Sequence, residues 1–161
     1  MRTIRIEKIV LNMGCGTKTS IDHAMKILEM ITNRKPIIVQ SRKRSTFNIP
    51  KGKDIGCKIT IRKEIDSFLK RLFVAKDNTL KSSNFDNKGN FAFGIHEYID
   101  VPGMEYDPKI GILGFDICVT LERPGYRIKK RKLNRKVGEN HVITKDEAIK
   151  FVSERFGIKV E

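Results

Sequence analysis

The sequence predicts an α+β fold, one layer of antiparallel-rich sheet with helices against one of its faces. Three observations carry that expectation. Apolar residues alternate with polar ones in several short runs, as in strands with one buried side. They recur at spacings of three and four in other runs, as in helices with one buried stripe. No internal repeat or low-complexity linker divides the 161 residues, a length that one hydrophobic core serves, so a single domain over residues 1–161 is expected.

In order along the chain, Ile4, Ile6, Ile9, Val10, Leu11 and Met13 predict a strand that begins with alternation and ends nearly all apolar, stopped by Gly14-Cys15-Gly16. A helix follows from Ser20 to Asn33, where Ile21, Ala24, Met25, Leu28 and Ile31 or Thr32 form one stripe and Pro36 prevents continuation. Ile37 to Gln40 predict a short strand. Ile55, Cys57, Ile59 and Ile61 alternate with Gly56, Lys58, Thr60 and Arg62 and predict another, with a long polar loop between the two. Ile65, Phe68, Leu69, Leu72 and Phe73 fall on one side only with a helical period, so Glu64 to Ala75 is helical.

Asn78 to Asn90 is turn-rich, and Phe91 to Ile95 and Phe115 to Leu121 predict strands separated by the turns Pro102-Gly103 and Asp107-Pro108. Thr144-Lys145-Asp146-Glu147 is a capping box that opens the last helix. Ala148, Ile149, Val152 and Phe156 form its core side, and Gly157 is placed to end it.

Thirty-three Lys and Arg against 19 Asp and Glu leave a net charge of +14, which favours a polyanionic partner, nucleic acid first and an anionic membrane second. No run approaches the roughly 18 apolar residues of a membrane span, and Met1-Arg2-Thr3-Ile4-Arg5 lacks the apolar core of a signal peptide, so a cytoplasmic protein with no membrane partner is expected. Cys15, Cys57 and Cys118 are widely spaced and form no C-x-x-C pair, which predicts small buried thiols rather than disulfides or a zinc knuckle.

The charge is unevenly distributed. From Arg123 to Lys136 the cations are Arg123, Arg127, Lys129, Lys130, Arg131, Lys132, Arg135 and Lys136, with Tyr126 interleaved and no acid among them. Such a block is either a solvated segment or an arm that neutralises phosphates and releases their counterions, and the second reading is preferred. A second acid-free cluster, Arg42-Lys43-Arg44-Ser45-Thr46-Phe47-Asn48-Ile49-Pro50-Lys51-Gly52-Lys53, joins cations to the apolar tips Phe47 and Ile49, a combination suited to the phosphates and unstacked bases of folded RNA. Loop 42–54 and segment 123–140 are expected to be flexible in the free protein.

Enzyme chemistry finds little support. Glu97, Asp100, Glu105 and Asp107 form an acidic segment, but their spacing matches no EF-hand and fixes no acid–base pair; a solvated edge or a patch for a basic neighbour is the better reading. Gly14-Cys15-Gly16 lacks the third glycine of a dinucleotide loop because Thr19 stands there, and His23, His96 and His141 are isolated. No catalytic residue, cofactor or metal is expected. The contrary reading, a metal-dependent nucleotide-processing enzyme, would rest on the acidic segment alone. A membrane-surface reading fails because the run from Arg123 to Lys136 holds Pro124 and Gly125 and too few apolar residues to insert.

Particular strings say more than composition. Ile6-Glu7-Lys8-Ile9-Val10-Leu11-Asn12-Met13-Gly14, then Lys35-Pro36, then Ile55-Gly56-Cys57-Lys58-Ile59-Thr60-Ile61-Arg62 resemble, in order and spacing, the ribosomal protein L5 family of the large subunit. Phe85-Asp86-Asn87-Lys88-Gly89-Asn90, Phe93-Gly94-Ile95-His96-Glu97, Tyr106-Asp107-Pro108, Gly111-Ile112 and Arg123-Pro124-Gly125 are similar to its archaeal and eukaryotic branch. The likeness covers nearly the whole chain.

The resemblance implies a curved sheet whose open face meets 5S rRNA in the central protuberance. Family contacts on the first and third strands and at the end of the first helix correspond to Lys8, Asn12 and Thr60, with Arg34, Lys35 and Arg62 beside them. The family usually has Gln before the Lys-Pro pair; Arg34 replaces that amide with a fixed cation. The loop from Arg42 to Asp54 resembles a projecting loop that reaches P-site tRNA, and Arg42, Lys43, Arg44, Phe47, Lys51 and Lys53 are its candidate contacts. The run after Arg123 has no counterpart in the shorter bacterial proteins and is assigned on charge alone to phosphates of large-subunit rRNA. A neighbouring 5S-binding ribosomal protein is also implied. The alternative is a binding module for other structured RNA, such as tRNA or a ribosome-assembly intermediate.

Overall fold

The structure, a computed structural model, describes residues 1–16, 20–44, 48–133 and 135–161. Seven strands and three α-helices are defined among them: β1 (Arg5–Gly14), α1 (Ile21–Thr32), β2 (Ile37–Gln40), β3 (Asp54–Ile61), α2 (Ile65–Val74), β4 (Thr79–Leu80), β5 (Phe91–Ile95), β6 (Phe115–Glu122), α3 (Lys145–Phe156) and β7 (Lys159–Val160). Five strands form one sheet in the order β2-β3-β1-β6-β5, mostly antiparallel, and β4 pairs with β7 in a separate parallel ribbon. The α+β class is the one the periodicities predict. Every strand and helix expected from them is present to within about two residues, the usual uncertainty of an element end. The short ribbon of β4 and β7 is additional, since two residues hold no readable period.

The chain packs into two compact units, one of Met1–Ile9, Ile61–Phe93 and Cys118–Glu161, the other of Val10–Thr60 and Gly94–Ile117. In the second, α1 buries Ala24, Ile27, Leu28 and Ile31, while Ile21 and Met25 of the expected stripe are only half-buried. The helix ends at Asn33, whose N–H still donates to the Glu29 carbonyl and whose left-handed backbone then turns the chain out of the helix. Pro36 is buried and turns the chain into β2, which pairs antiparallel with β3 in the register Ile37 to Lys58 and Val39 to Gly56. Past the end of β1, the Cys15 N–H donates to the Ile55 carbonyl at 3.0 Å. Cys15 and Cys57 are buried there, as expected.

In the first unit, Phe73 of α2 lies 5.3 Å from Phe93, stacked, and 5.4 Å from Phe156 of α3, edge-on, and Phe85 lies 5.2 Å from Phe91. Each fully buried side chain of this size contributes about 1.5–3 kcal/mol by leaving water. Both halves of the α3 capping box are formed by Thr144 and Glu147, and Gly157 ends the helix in the left-handed region at φ 69°. Arg155 of α3 is paired with Asp66 of α2 at 2.6 Å. Cys118 departs from expectation: the odd residues Phe115, Ile117, Val119 and Leu121 of β6 are buried, so position 118 faces outward and its thiol is exposed.

Candidate nucleic-acid interface

Strand alternation decides which polar side chains reach solvent. β1 buries Ile9, Leu11 and Met13 and leaves Asn12 exposed and Lys8 half-buried. Lys8 Nζ lies 3.8 Å from Glu7 Oε1. β3 buries Cys57, Ile59 and Ile61, with Lys58 exposed and Thr60 half-buried between them. Arg34 and Lys35, in the turn after α1, and Arg62, after β3, are exposed. All six residues expected to meet 5S rRNA are therefore accessible. Lys58 joins that set from the structure, although the period of its own strand already places it outward beside Thr60, and β2 pairing puts it opposite the exposed Ile37.

The loop between β2 and β3 is closed at its base. The Ser41 N–H donates to the Lys53 carbonyl and the Gly52 N–H to the Ser41 carbonyl, both at 2.8 Å. Arg42, Lys43, Arg44, Lys51 and Lys53 are all exposed, and Phe47 lies outside the described residues.

The run after β6 is sorted by the fold into two kinds of cation. Arg123, expected to contact phosphate, is only 4% exposed. Its Nη2 donates to Glu147 Oε1 at 2.8 Å, and its Nη1 to the carbonyls of His141 and Val142, each at 3.4 Å. A charge is tolerated at such depth only when it is paired and hydrogen-bonded, and here those partners engage Nη1 and Nη2, so Arg123 leaves the set of outward-facing cations. Lys130 also has protein partners: its Nζ is bonded to Glu7 and lies 3.7 Å from Glu122 Oε2. The Glu7 hydrogen bond is the main cause of its raised pKa. Arg127, Lys129, Arg131, Lys132, Arg135 and Lys136 are exposed.

Nor is the run a simple solvated chain. Tyr126 is buried, its hydroxyl donating to the His141 carbonyl at 3.0 Å and accepting from the Ile143 N–H at 3.1 Å. Lys129 Nζ lies 4.8 Å from the centre of the Tyr126 ring, a cation–π contact. Val137 is buried further along, and the Arg135 N–H donates to the Ile128 carbonyl at 3.1 Å.

The acidic segment is built around Tyr98, which is fully buried and whose hydroxyl accepts from the Asp107 N–H at 3.0 Å. Asp107 Oδ1 in turn accepts from the Lys109 N–H at 2.9 Å, a turn-forming bond. Asp100 and Glu105 point to solvent, and Glu97 is half-buried. Among the described residues no group of three or more His, Cys, Asp or Glu is arranged to hold a metal, and no helix is long and apolar enough to cross a membrane.

The chain as a whole is similar to known proteins. A family model described as ribosomal protein L5 matches residues 1–49, and a second, described as the C-terminus of that ribosomal family, matches residues 54–151. A protein of Cenarchaeum symbiosum named large ribosomal subunit protein uL5 is 45% identical over 164 residues, covering 99% of this chain and 97% of its own. Proteins of the same name from Nitrosopumilus maritimus and Nanoarchaeum equitans are 44% and 42% identical, each over 99% of this chain and 95% and 97% of their own. With both family models in sequence order and relatives matched nearly end to end, the chain belongs to the ribosomal protein L5 family.

Proposed function

We propose that this protein is a structural constituent of the large subunit of cytoplasmic ribosomes that holds 5S rRNA on the outward side chains of β1 and β3. Membership of a family of ribosomal proteins, not enzymes, makes a structural role the starting point. The single observation that carries the finer reading is the alternation itself. From Ile9 on β1 and from Cys57 on β3 every second residue is buried, while Asn12, Lys58 and Thr60 offer an amide, a cation and a hydroxyl to solvent. Such groups suit the 2′-hydroxyls and phosphates of a folded RNA, which proteins recognise by shape more than by base edges.

The cationic loop from Arg42 to Lys53, closed at Ser41, is assigned to P-site tRNA, and the outward cations between Arg127 and Lys136 to large-subunit rRNA. A neighbouring 5S-binding ribosomal protein completes the set of partners. The test is binding of the purified protein to 5S rRNA, tRNA and random RNA of equal mass across a salt series. Survival of the 5S complex alone at high salt is the expected result. If all three complexes fade together, the protein is a general binder of structured RNA and the 5S reading fails.

A further inference from the structure

We propose that Arg123 and Lys130 are positioning residues: they pin the basic run to the folded protein so that its remaining cations are presented to RNA phosphates already in place. This rests on the RNA-binding reading above. The run gathers eight cations between Arg123 and Lys136 with no acid, so its own repulsion favours a dispersed chain unless something holds it.

Two anchors hold it. Arg123 stands at its first position and donates to carbonyls of His141 and Val142 and to Glu147 in the first turn of α3, closing the excursion at its base. Tyr126 reinforces the closure through its bonds to His141 and Ile143. Lys130, in the middle, is drawn to Glu7 of β1 and Glu122 of β6, whose side chains are only 15% and 12% exposed. Arg5 holds Glu122 in position at 2.6 Å. A segment ordered in advance does not have to lose backbone entropy on binding, so anchors raise affinity without touching the ligand.

The test exploits a contradiction with plain electrostatics. Glu147→Gln removes a negative charge from an RNA-binding protein, which by charge alone strengthens binding or leaves it unchanged. Positioning requires the opposite: several-fold weaker binding to a 5S rRNA transcript with an unchanged salt slope, because every cation is still present. Lys130→Gln likewise weakens binding at constant slope, whereas Arg127→Gln, an outward cation, makes the slope shallower by about one. Thr144→Ala weakens the same helix cap but leaves the Arg123 pair, and it keeps wild-type affinity.

Trypsin digestion without RNA supplies an independent readout. Glu147→Gln is cut between Arg127 and Lys136 sooner than the wild type, whatever RNA the protein prefers, so failure of the 5S reading and failure of the anchor are separable. Unchanged or tighter RNA binding by Glu147→Gln, a shallower slope for Lys130→Gln, or an equal loss in Thr144→Ala overturns the proposal.

Discussion

Gly56 of β3 packs directly on the Met13 carbonyl of β1, and a methyl group at position 56 would stand 2.4 Å from that oxygen. Both sides of the contact are strand backbone, which cannot swing aside as a side chain does. Gly56→Ala is therefore expected to destabilise the protein by roughly 1–3 kcal/mol, the range for overpacking in a tight interior. Gly94→Ala is the control, because its added carbon would meet only the end of the Asp116 side chain, at 3.3 Å. Urea unfolding of the two variants, compared with wild type, checks the contrast.

Asn12 and Lys129 separate the two ways of holding RNA. Asn12 is an exposed neutral amide on β1, and Lys129 an exposed cation over the Tyr126 ring. Asn12→Ala is expected to weaken 5S rRNA binding by about 1 kcal/mol with no change in salt slope. Lys129→Ala is expected to weaken binding to all RNAs and make the slope shallower by about one. Equal slopes for the two variants would contradict this division.

The Glu147 carboxylate is held below its ordinary pKa of 4.5, first by the Thr144 backbone N–H, at 3.1 Å from Oε2, and then by Arg123. A depressed carboxylate stabilises the folded state fully above its unfolded pKa, and that contribution is lost as pH falls through the lower, folded value. The wild type should exceed Glu147→Gln by about 1 kcal/mol at pH 7, since the carboxylate is 44% exposed and solvent screens its pairing. That gap should close as pH drops below about 4.5, measured by denaturant midpoints from pH 7 to pH 3.

The three thiols should differ sharply in reactivity. Burial, and then the adjacent Cys15, push the Cys57 thiol up to about 12, and burial raises Cys15 as well. Thiolate is the reactive form, so both should resist an aromatic disulfide reagent at pH 8 until the protein unfolds. Cys118, exposed on β6, should be modified promptly. Prompt modification of all three in the folded protein would contradict the packing of Cys15 and Cys57.

Much of the fold is legible in the sequence because the signals are local. The four-residue strand Ile37–Gln40 stands between Pro36 and a polar loop, and the Thr144 to Glu147 capping box closes within a single turn. The accessible positions Asn12 and Thr60 follow from a period of two read inside one strand. The same step applied to Cys118 places it outward, since its neighbours Ile117 and Val119 are the buried pair; composition alone, which favours buried thiols, points the wrong way. The β4–β7 ribbon lies beyond local reading, since Thr79–Leu80 pairs with Lys159–Val160, far along the chain, and neither two-residue strand holds a period.

By itself the sequence determined the class of fold, the family, and the two places where positive charge gathers, because periodicity, capping and composition are properties of neighbouring residues. Only the tertiary structure decided which cations those clusters offer. Arg123 finds its carboxylate 24 residues away and Lys130 finds one 123 residues away, and until the chain brings Glu147 and Glu7 to them, neither differs in pattern from the other six. A charge is committed inward or left outward by the partners that folding delivers, and the energy of that choice lies in desolvation and pairing, which have no signature in the order of residues.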